Sequence, residues 1–275
     1  EKLQKPIRII LERSEDIQFT SKRHPVEFNY RTGIDENGNI VAMELNFDIN
    51  SGAYLSLSGI VLQRSLTTAT NVYDIPNVRI EGHAWTTNTV PTGAFRGFGS
   101  PQNCFCMETH MSHIAKKLGE EPAVFKQRHL LKSDSKTLTG ADIFGDLVLE
   151  QMLENVLSSS DYHNKVASYA LQSEACEMRK GIGLAIFQHG CGFAGDLEDT
   201  LVRARIRLHK LADGTIQILA SNTDIGQGLS LTFRKIVADT MKCKLDTIQL
   251  AVPDTGVVPD SGPTVASRSI LIVGY

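Results

Sequence analysis

The stretch TVPTGAFRGFGSPQ, residues 89–102, sets one arginine, Arg96, between two phenylalanines, Phe95 and Phe98, in a run that also holds Gly93, Gly97 and Gly99. Glycine at that density gives up ordering entropy for backbone freedom and close approach, so the pattern points to a partner that comes up against the main chain. The guanidinium makes that partner polar or anionic, because it offers only donors and stays charged.

A second run, SNTDIGQGLSLTFRKIVADTMK, begins at Ser221. Gly226, Gln227 and Gly228 open a predicted helix whose core face carries Leu229, Phe233, Ile236 and Val237. That places free backbone N–H groups and the positive end of the helix dipole beside the glutamine side chain, which suits a phosphate or another electron-rich group. The same G-x-G spacing serves equally as a plain tight turn. A third run, GPTVASRS at 262–269, reads as a helix start with Thr264, Ser267 and Ser269 as extra donors, or as simple capping. Three such runs would suit a phosphorylated, heteroatom-rich cofactor if they converge, and spacing alone leaves convergence open.

The elements that must position these runs are legible as two halves built alike. In the first, PVEFNY alternates Val26, Phe28 and Tyr30, Asn37-Gly38 supplies a turn, and IVAMELNF alternates Val41, Met43, Leu45 and Phe47, which predicts a hairpin. After the glycine-rich stretch, Ser100 and Pro101 predict the N-cap and first residue of a helix ending near Gly119, and EPAVFKQRHLL starts another. Residues 132–180 are polar and serine-rich, with a helical patch in which Leu149, Met152, Leu153 and Val156 share a face. The second half repeats the plan: Val202, Ala204, Ile206 and Leu208 alternate, Asp213-Gly214 turns, and TIQILA returns. The expected architecture is α+β, with two mixed sheet-and-helix domains at 1–131 and 181–275 and a helical connector at 132–180.

Composition narrows the class. The 275 residues are 41% hydrophobic with a net charge of -3, which gives no basic footprint for nucleic acid or a membrane surface. No apolar run is long enough to span a bilayer and no signal-peptide pattern opens the chain, so a cytoplasmic protein is expected. The five cysteines, Cys104, Cys106, Cys176, Cys191 and Cys243, lack paired C-x-x-C spacing and read as reduced thiols. An opening without methionine and a close within the apolar run SRSILIVGY suggest a segment of a longer polypeptide.

NTVPTGAFRGFGSPQ resembles the AFRGFGGPQ signature of the molybdopterin hydroxylases, the xanthine dehydrogenase and aldehyde oxidase family, and IGQGL and PTVAS resemble that family's next two cofactor segments. The likeness runs from LERSEDIQFTSKRHP to the last residue and corresponds to the middle of the molybdenum subunit, most like that of a bacterial xanthine dehydrogenase. It implies that Phe95 and Arg96 meet the molybdenum-side oxygens and cofactor, that Gln227 meets a metal ligand or the dithiolene edge, and that the main chain of Gly226 and Gly228 approaches the pterin. It further implies that Ala266, Ser267, Arg268 and Ser269 cradle the phosphate or a cytosine dinucleotide extension. The metal would be held by the dithiolene, with no direct protein ligand.

On the substrate side, the resemblance makes Phe98 and Phe193 the two walls of an aromatic sandwich, with Phe95 packed inward. Arg64 matches an arginine that xanthine-oxidising members keep, which tilts the substrate toward a purine or similar N-heterocycle over an aldehyde. The implied chemistry is hydroxylation with water as oxygen source, hydride transfer to a molybdenum sulfido ligand, and electron flow through iron-sulfur clusters and FAD, carried on other domains or subunits, to NAD or another acceptor, in an enzyme that commonly forms homo-oligomers. No carboxylate here matches the family's catalytic glutamate; Glu108, Asp224 and Asp260 read as surface or capping residues. A non-catalytic binding or assembly module on the same scaffold is the alternative of a different class.

Overall fold

In the computed structural model, which describes residues 7–143, 145–172, 177–190, 192 and 203–275, the alternation in the first half forms strands β1 (Val26–Ile34) and β2 (Ile40–Gly52). They pair antiparallel with Phe28 opposite Phe47 and Tyr30 opposite Leu45. Asp35 builds the turn: its carboxylate accepts the N–H groups of Asn37 and Asn39, and Gly38 takes φ +81°. Val41 departs from the alternation. The register shifts between Gly33 and Ile34, so Ile40 turns into the core while Val41 is 42% exposed, the result of an irregularity that flips one residue.

Helix α1 (Arg13–Phe19) precedes this hairpin, and helix α2 (Ser58–Thr67) returns the chain to β3 (Val78–Thr86), which pairs parallel to β2. Gly82 in β3 makes the crossover tight: a Cβ there would meet Leu62 Cδ1 and Leu66 Cδ2 at 2.9 Å. The opposite side of α2 buries the small Ser58 and Ser65 with Val61, which leaves room for a loop to press on it. Helices α3 (Ser100–Leu118) and α4 (Pro122–Arg128) follow, α3 ending at Gly119 in the left-handed conformation. The expected cap moves back by one residue, because Gly99, with φ +93°, is the N-cap.

The segment 132–180 carries α5 (Leu149–Ser159) and α6 (Tyr162–Ala170). Leu153, Leu157 and Tyr162 join the core of Leu45, Phe47, Met107, Met111 and Phe125. The buried row is therefore Leu149, Leu153 and Leu157 at four-residue spacing; Met152 and Val156, expected on that face, are 58% and 51% exposed.

The chain divides into two compact units, Glu1–Gln188 and His189–Tyr275. The second repeats the plan of the first: β4 (Arg207–Lys210) pairs antiparallel with β5 (Ile216–Leu219), and helix α7 (Leu229–Met241) leads to β6 (Ile248–Leu250), parallel to β5. Its core is Ile216, Ile218, Leu229, Phe233, Val237, Ile248 and Val273. All of β4 is exposed, so Leu208 does not point inward as the alternation suggested, and Val202 lies outside the described residues. Both units are α+β. Among the described residues no helix is long and apolar enough to cross a membrane.

Candidate functional site

Each unit contributes glycine-rich loops. In the first, Gly97, Phe98 and Gly99 are left-handed in succession, with φ +94°, +53° and +93°. For phenylalanine that conformation costs about 1–2 kcal/mol, so the surroundings must hold it. Part of the hold is steric: a Cβ at Gly99 would lie 2.3 Å from Ser65 Oγ and 2.7 Å from Val61 O, and one at Gly97 would lie 2.4 Å from Pro101 Cγ. The loop is thus pressed onto α2, the helix whose last turn carries the half-buried Arg64. Phe98 is half-buried, as a ring lining a pocket can be.

Phe95 does not pack inward. It is 48% exposed, with the Arg23 guanidinium 4.8 Å above its ring. The Arg96 guanidinium is exposed and makes no hydrogen bond or ion pair among the described residues. Four residues further on, the Ser100 hydroxyl is buried with no hydrogen-bond partner among those residues.

In the second unit the loop before α7 differs from its expected form. The helix N-terminus is already served: Asp224 accepts the N–H groups of Gly226 and Ser230, both at 3.0 Å. Those bonds, Ser230 first, hold the Asp224 carboxyl below the usual carboxylate range. Gln227 folds back on its own loop, accepting the Ile225 N–H at 2.6 Å and donating to Thr223 O at 3.0 Å. Gly226 and Gly228 have φ +100° and +81°, and a Cβ at either would meet none of the described residues within 4 Å. Their outer side is open to an approaching group.

The structure brings the 222–228 and 262–269 segments together. Thr264 Oγ1 accepts the Thr223 N–H at 2.8 Å, and Asn222 Nδ2 donates to Ser269 Oγ at 3.2 Å. These hydroxyls therefore serve as internal acceptors. Ala266 and Ser267 are left-handed, with φ +49° and +57°. Arg268 is turned inward and 0% exposed, donating to the carbonyls of Ser261, Pro263 and Arg203. Helix α8 (Arg268–Leu271) that follows is a single turn. Phe193 lies outside the described residues.

Glu108 overturns its expected surface or capping role. It sits on the core face of α3, 6% exposed. Its Oε1 accepts from Tyr73 Oη at 2.5 Å, and its Oε2 accepts from Lys126 Nζ at 2.9 Å and the Ile186 N–H at 3.0 Å. Lys126 also donates to Leu184 O, while Asn71 donates to Ile186 O and accepts from the Gln188 N–H. Side chains thus stand in for a neighbouring strand along residues 184–188, the segment that leads out of the first unit. Glu108 at i, i+3 spacing from Met111 was the available sign; an acid on the same helix face as a buried methionine needs a buried partner.

Burial disfavours the charged forms of three histidines and two thiols in the first unit. His24, with Nε2 2.7 Å from Ser58 Oγ, and His129 both titrate below the usual value. His110, stacked on Tyr30, is pushed down to about 4, and Cys104 and Cys106 are pushed up to about 11. No group of three or more metal-ligating side chains occurs among the described residues.

Comparison with known proteins identifies the family. A family model described as a molybdopterin cofactor-binding domain matches residues 1–130, and a second of the same description matches residues 155–275. Over 272 residues the chain is 32% identical to one subunit of a probable xanthine dehydrogenase of Bacillus subtilis, covering 98% of this chain and 35% of that one. It is 30% identical over 271 residues to a xanthine dehydrogenase/oxidase of Felis catus, covering 98% and 20% respectively. Its structure resembles that of an aldehyde oxidoreductase from Desulfovibrio gigas, with a TM-score of 0.81 and 27% identity over 94% of this chain and 28% of that one. The chain therefore spans between a fifth and about a third of the length of these proteins.

Proposed function

Because the chain belongs to the molybdopterin cofactor-binding domains of the molybdenum hydroxylase family, we propose that it forms part of the cofactor and substrate pocket of an oxidoreductase acting on a purine such as xanthine or hypoxanthine. The observation that carries this is the backbone. All three motif segments place residues in the left-handed region, including the non-glycine Phe98, Ala266 and Ser267. Strain of that kind persists where a main chain is shaped for a partner.

The residues present fit such a group. Arg96 presents an unspent guanidinium for its oxygens, and the open outer faces of Gly226 and Gly228 admit a bulky ring system against the main chain. Gln227 reaches a ligand by exchanging its two loop hydrogen bonds for new ones. Main-chain N–H groups of Ala266 and Ser267 serve the phosphate, with Ser269 beside them and Arg268 shaping the turn from behind. When bound, the molybdenum cofactor supplies a two-electron redox centre at which water-derived oxygen is added to an electron-poor carbon.

Phe98 stacks on the flat substrate, worth about 0.5–1.5 kcal/mol beyond burial. Arg64 hydrogen-bonds a purine oxygen and withdraws electron density from the ring. No proton transfer is assigned to this chain. Iron-sulfur and FAD modules on other domains or subunits carry electrons to NAD, and the assembly is a homo-oligomer. Likeness to an aldehyde oxidoreductase favours one second reading, in which the substrate is an aldehyde and Arg64 is a helix-surface charge.

The test uses the polypeptide in which this chain occurs, made in a host that synthesises the cofactor. Molybdenum and pterin should be near-stoichiometric in the wild type and fall severalfold in Arg96→Ala and Gln227→Ala. Xanthine turnover with an artificial acceptor should then exceed benzaldehyde turnover, and Arg64→Ala should reverse that order. A well-folded wild type without metal or pterin would leave the scaffold as a binding or assembly module.

A further inference from the structure

The loop bearing Phe95, Arg96 and Phe98 has few backbone bonds: the Phe98 N–H to Phe95 O at 2.8 Å, the Ser100 N–H to Gly97 O at 3.1 Å and the Asn103 N–H to Gly99 O at 3.2 Å. Three hydrogen bonds hold three consecutive left-handed residues and an exposed ring. A further constraint comes from another part of the chain. Arg23 Nη2 donates to the Arg96 carbonyl at 2.7 Å, its guanidinium lies over the Phe95 ring, and Nη1 donates to Gln102 Oε1 at 3.4 Å. One planar fork thus touches both sides of Gly97-Phe98-Gly99.

Arg23 can act as a strut because its own backbone is tied down. Lys22 runs beside Thr92, accepting the Gly93 N–H at 3.0 Å and donating its N–H to Pro91 O at 3.3 Å. His24 O accepts from Gln102 Nε2 at 3.2 Å, and the His24 ring bonds Ser58 at the start of α2. Neighbouring residues 23 and 24 therefore fix the loop and the helix it presses on, so Phe98 and Arg64 are referred to one anchor.

We infer that Arg23 is a positioning residue for the cofactor loop: it holds the Arg96 carbonyl and the Phe95 ring so that the Gly97-Phe98-Gly99 turn is ordered before any ligand arrives. The pocket role of that loop rests on the function proposed above; the ordering role does not.

Amide hydrogen exchange of residues 95–100 in the cofactor-free full polypeptide tests the ordering. Arg23→Ala should accelerate exchange there about tenfold while β2 amides and Arg31→Ala, a change at an exposed sheet arginine, stay as in the wild type. Arg23→Lys keeps a cation over the ring, loses the fork, and should fall between. Should Arg23→Ala not accumulate as folded protein, Arg23→Gln decides by the same comparison. Unchanged exchange at 95–100, or an equal rise across β2, would overturn the inference. In a cofactor-making host, pterin content should fall in the order wild type, Arg23→Lys, Arg23→Ala; wild-type content in Arg23→Ala alongside faster exchange would overturn the cofactor role alone. A wild type that binds no pterin would refute the proposed function, and the exchange result would still decide whether Arg23 orders the loop.

Discussion

The two units share a hairpin followed by a helical crossover to a parallel strand, yet they place their glycine loops at different points of it. In the first, Gly97-Phe98-Gly99 comes after β3 and is pressed against the crossover helix α2. In the second, Gly226-Gln227-Gly228 lies within the crossover itself, between β5 and α7. The glycines consequently answer different demands. Gly97 and Gly99 are needed because neighbours occupy the space of a side chain, whereas Gly226 and Gly228 are needed for their φ alone. The holding interactions are reversed too: Arg23 braces the first loop from outside, while Asp224 and Gln227 brace the second from within. One glycine-rich signature can thus encode close packing or an open approach, and only the neighbours distinguish them.

The buried cations differ in the same sense. Lys126 is neutralised by the carboxylate of Glu108, and Arg268 spreads its donors over backbone carbonyls. The largest expected effect tests the first arrangement. Glu108→Leu leaves Lys126 buried without its counter-charge and should cost the first unit about 3–5 kcal/mol, most of it recovered in Glu108→Leu/Lys126→Met. Urea dependence of hydrogen exchange in β2 reads this in the full polypeptide, with β5 amides as the unaffected reference. A double variant as unstable as the single would mean that the hydrogen bonds to residues 184–188, and not the charge balance, carry the stability.

Alanine at the glycines tests the loop comparison. Gly226→Ala should cost about 1 kcal/mol, the penalty for a left-handed alanine. Gly99→Ala carries that penalty plus a collision with the Val61 carbonyl, so about 3 kcal/mol is expected. Thermal unfolding followed unit by unit measures both, and equal losses would remove the distinction between packing and conformational glycines.

Acid should separate the units most gently. His24, His110 and His129 all titrate low in the first unit because burial disfavours their charged forms. The unfolded chain then takes up protons that the folded unit does not, so stability falls as pH drops below about 6.5. For His110 it continues to fall toward about 4. In the second unit Asp213 and Asp224 titrate low through bonds from backbone N–H groups. Their contribution is therefore present above the ordinary aspartate value of about 3.9 and is lost only as pH falls below it. Exchange from β2 amides should accelerate at a higher pH than exchange from β5 amides. A common onset would show that the buried histidines do not govern the first unit.

Both hairpins, the helix after each glycine loop and the family signature were legible in the sequence, because they rest on local rules: alternation, turn chemistry and motif spacing. Misses fell where a distant neighbour decided the outcome. Val41 is exposed because a register shift flips it, and Met152 and Val156 are exposed because α5 meets the core along a different row. Arg268 turned inward, toward carbonyls at residues 203, 261 and 263 that no local rule pairs with it.

The sequence by itself determined where the glycine-rich runs and their polar side chains lie, since glycine density and residue type are local properties. Tertiary structure decided which of those side chains are already satisfied within the fold. Asp224 and Gln227 fill the bonds of their own loop, Phe95 lies outward under Arg23, and Glu108 is a buried counter-ion. The physical reason is that a donor or a charge is satisfied by whatever group folding brings within about 3 Å, and for Glu108 and Arg23 that group lies tens of residues away along the chain.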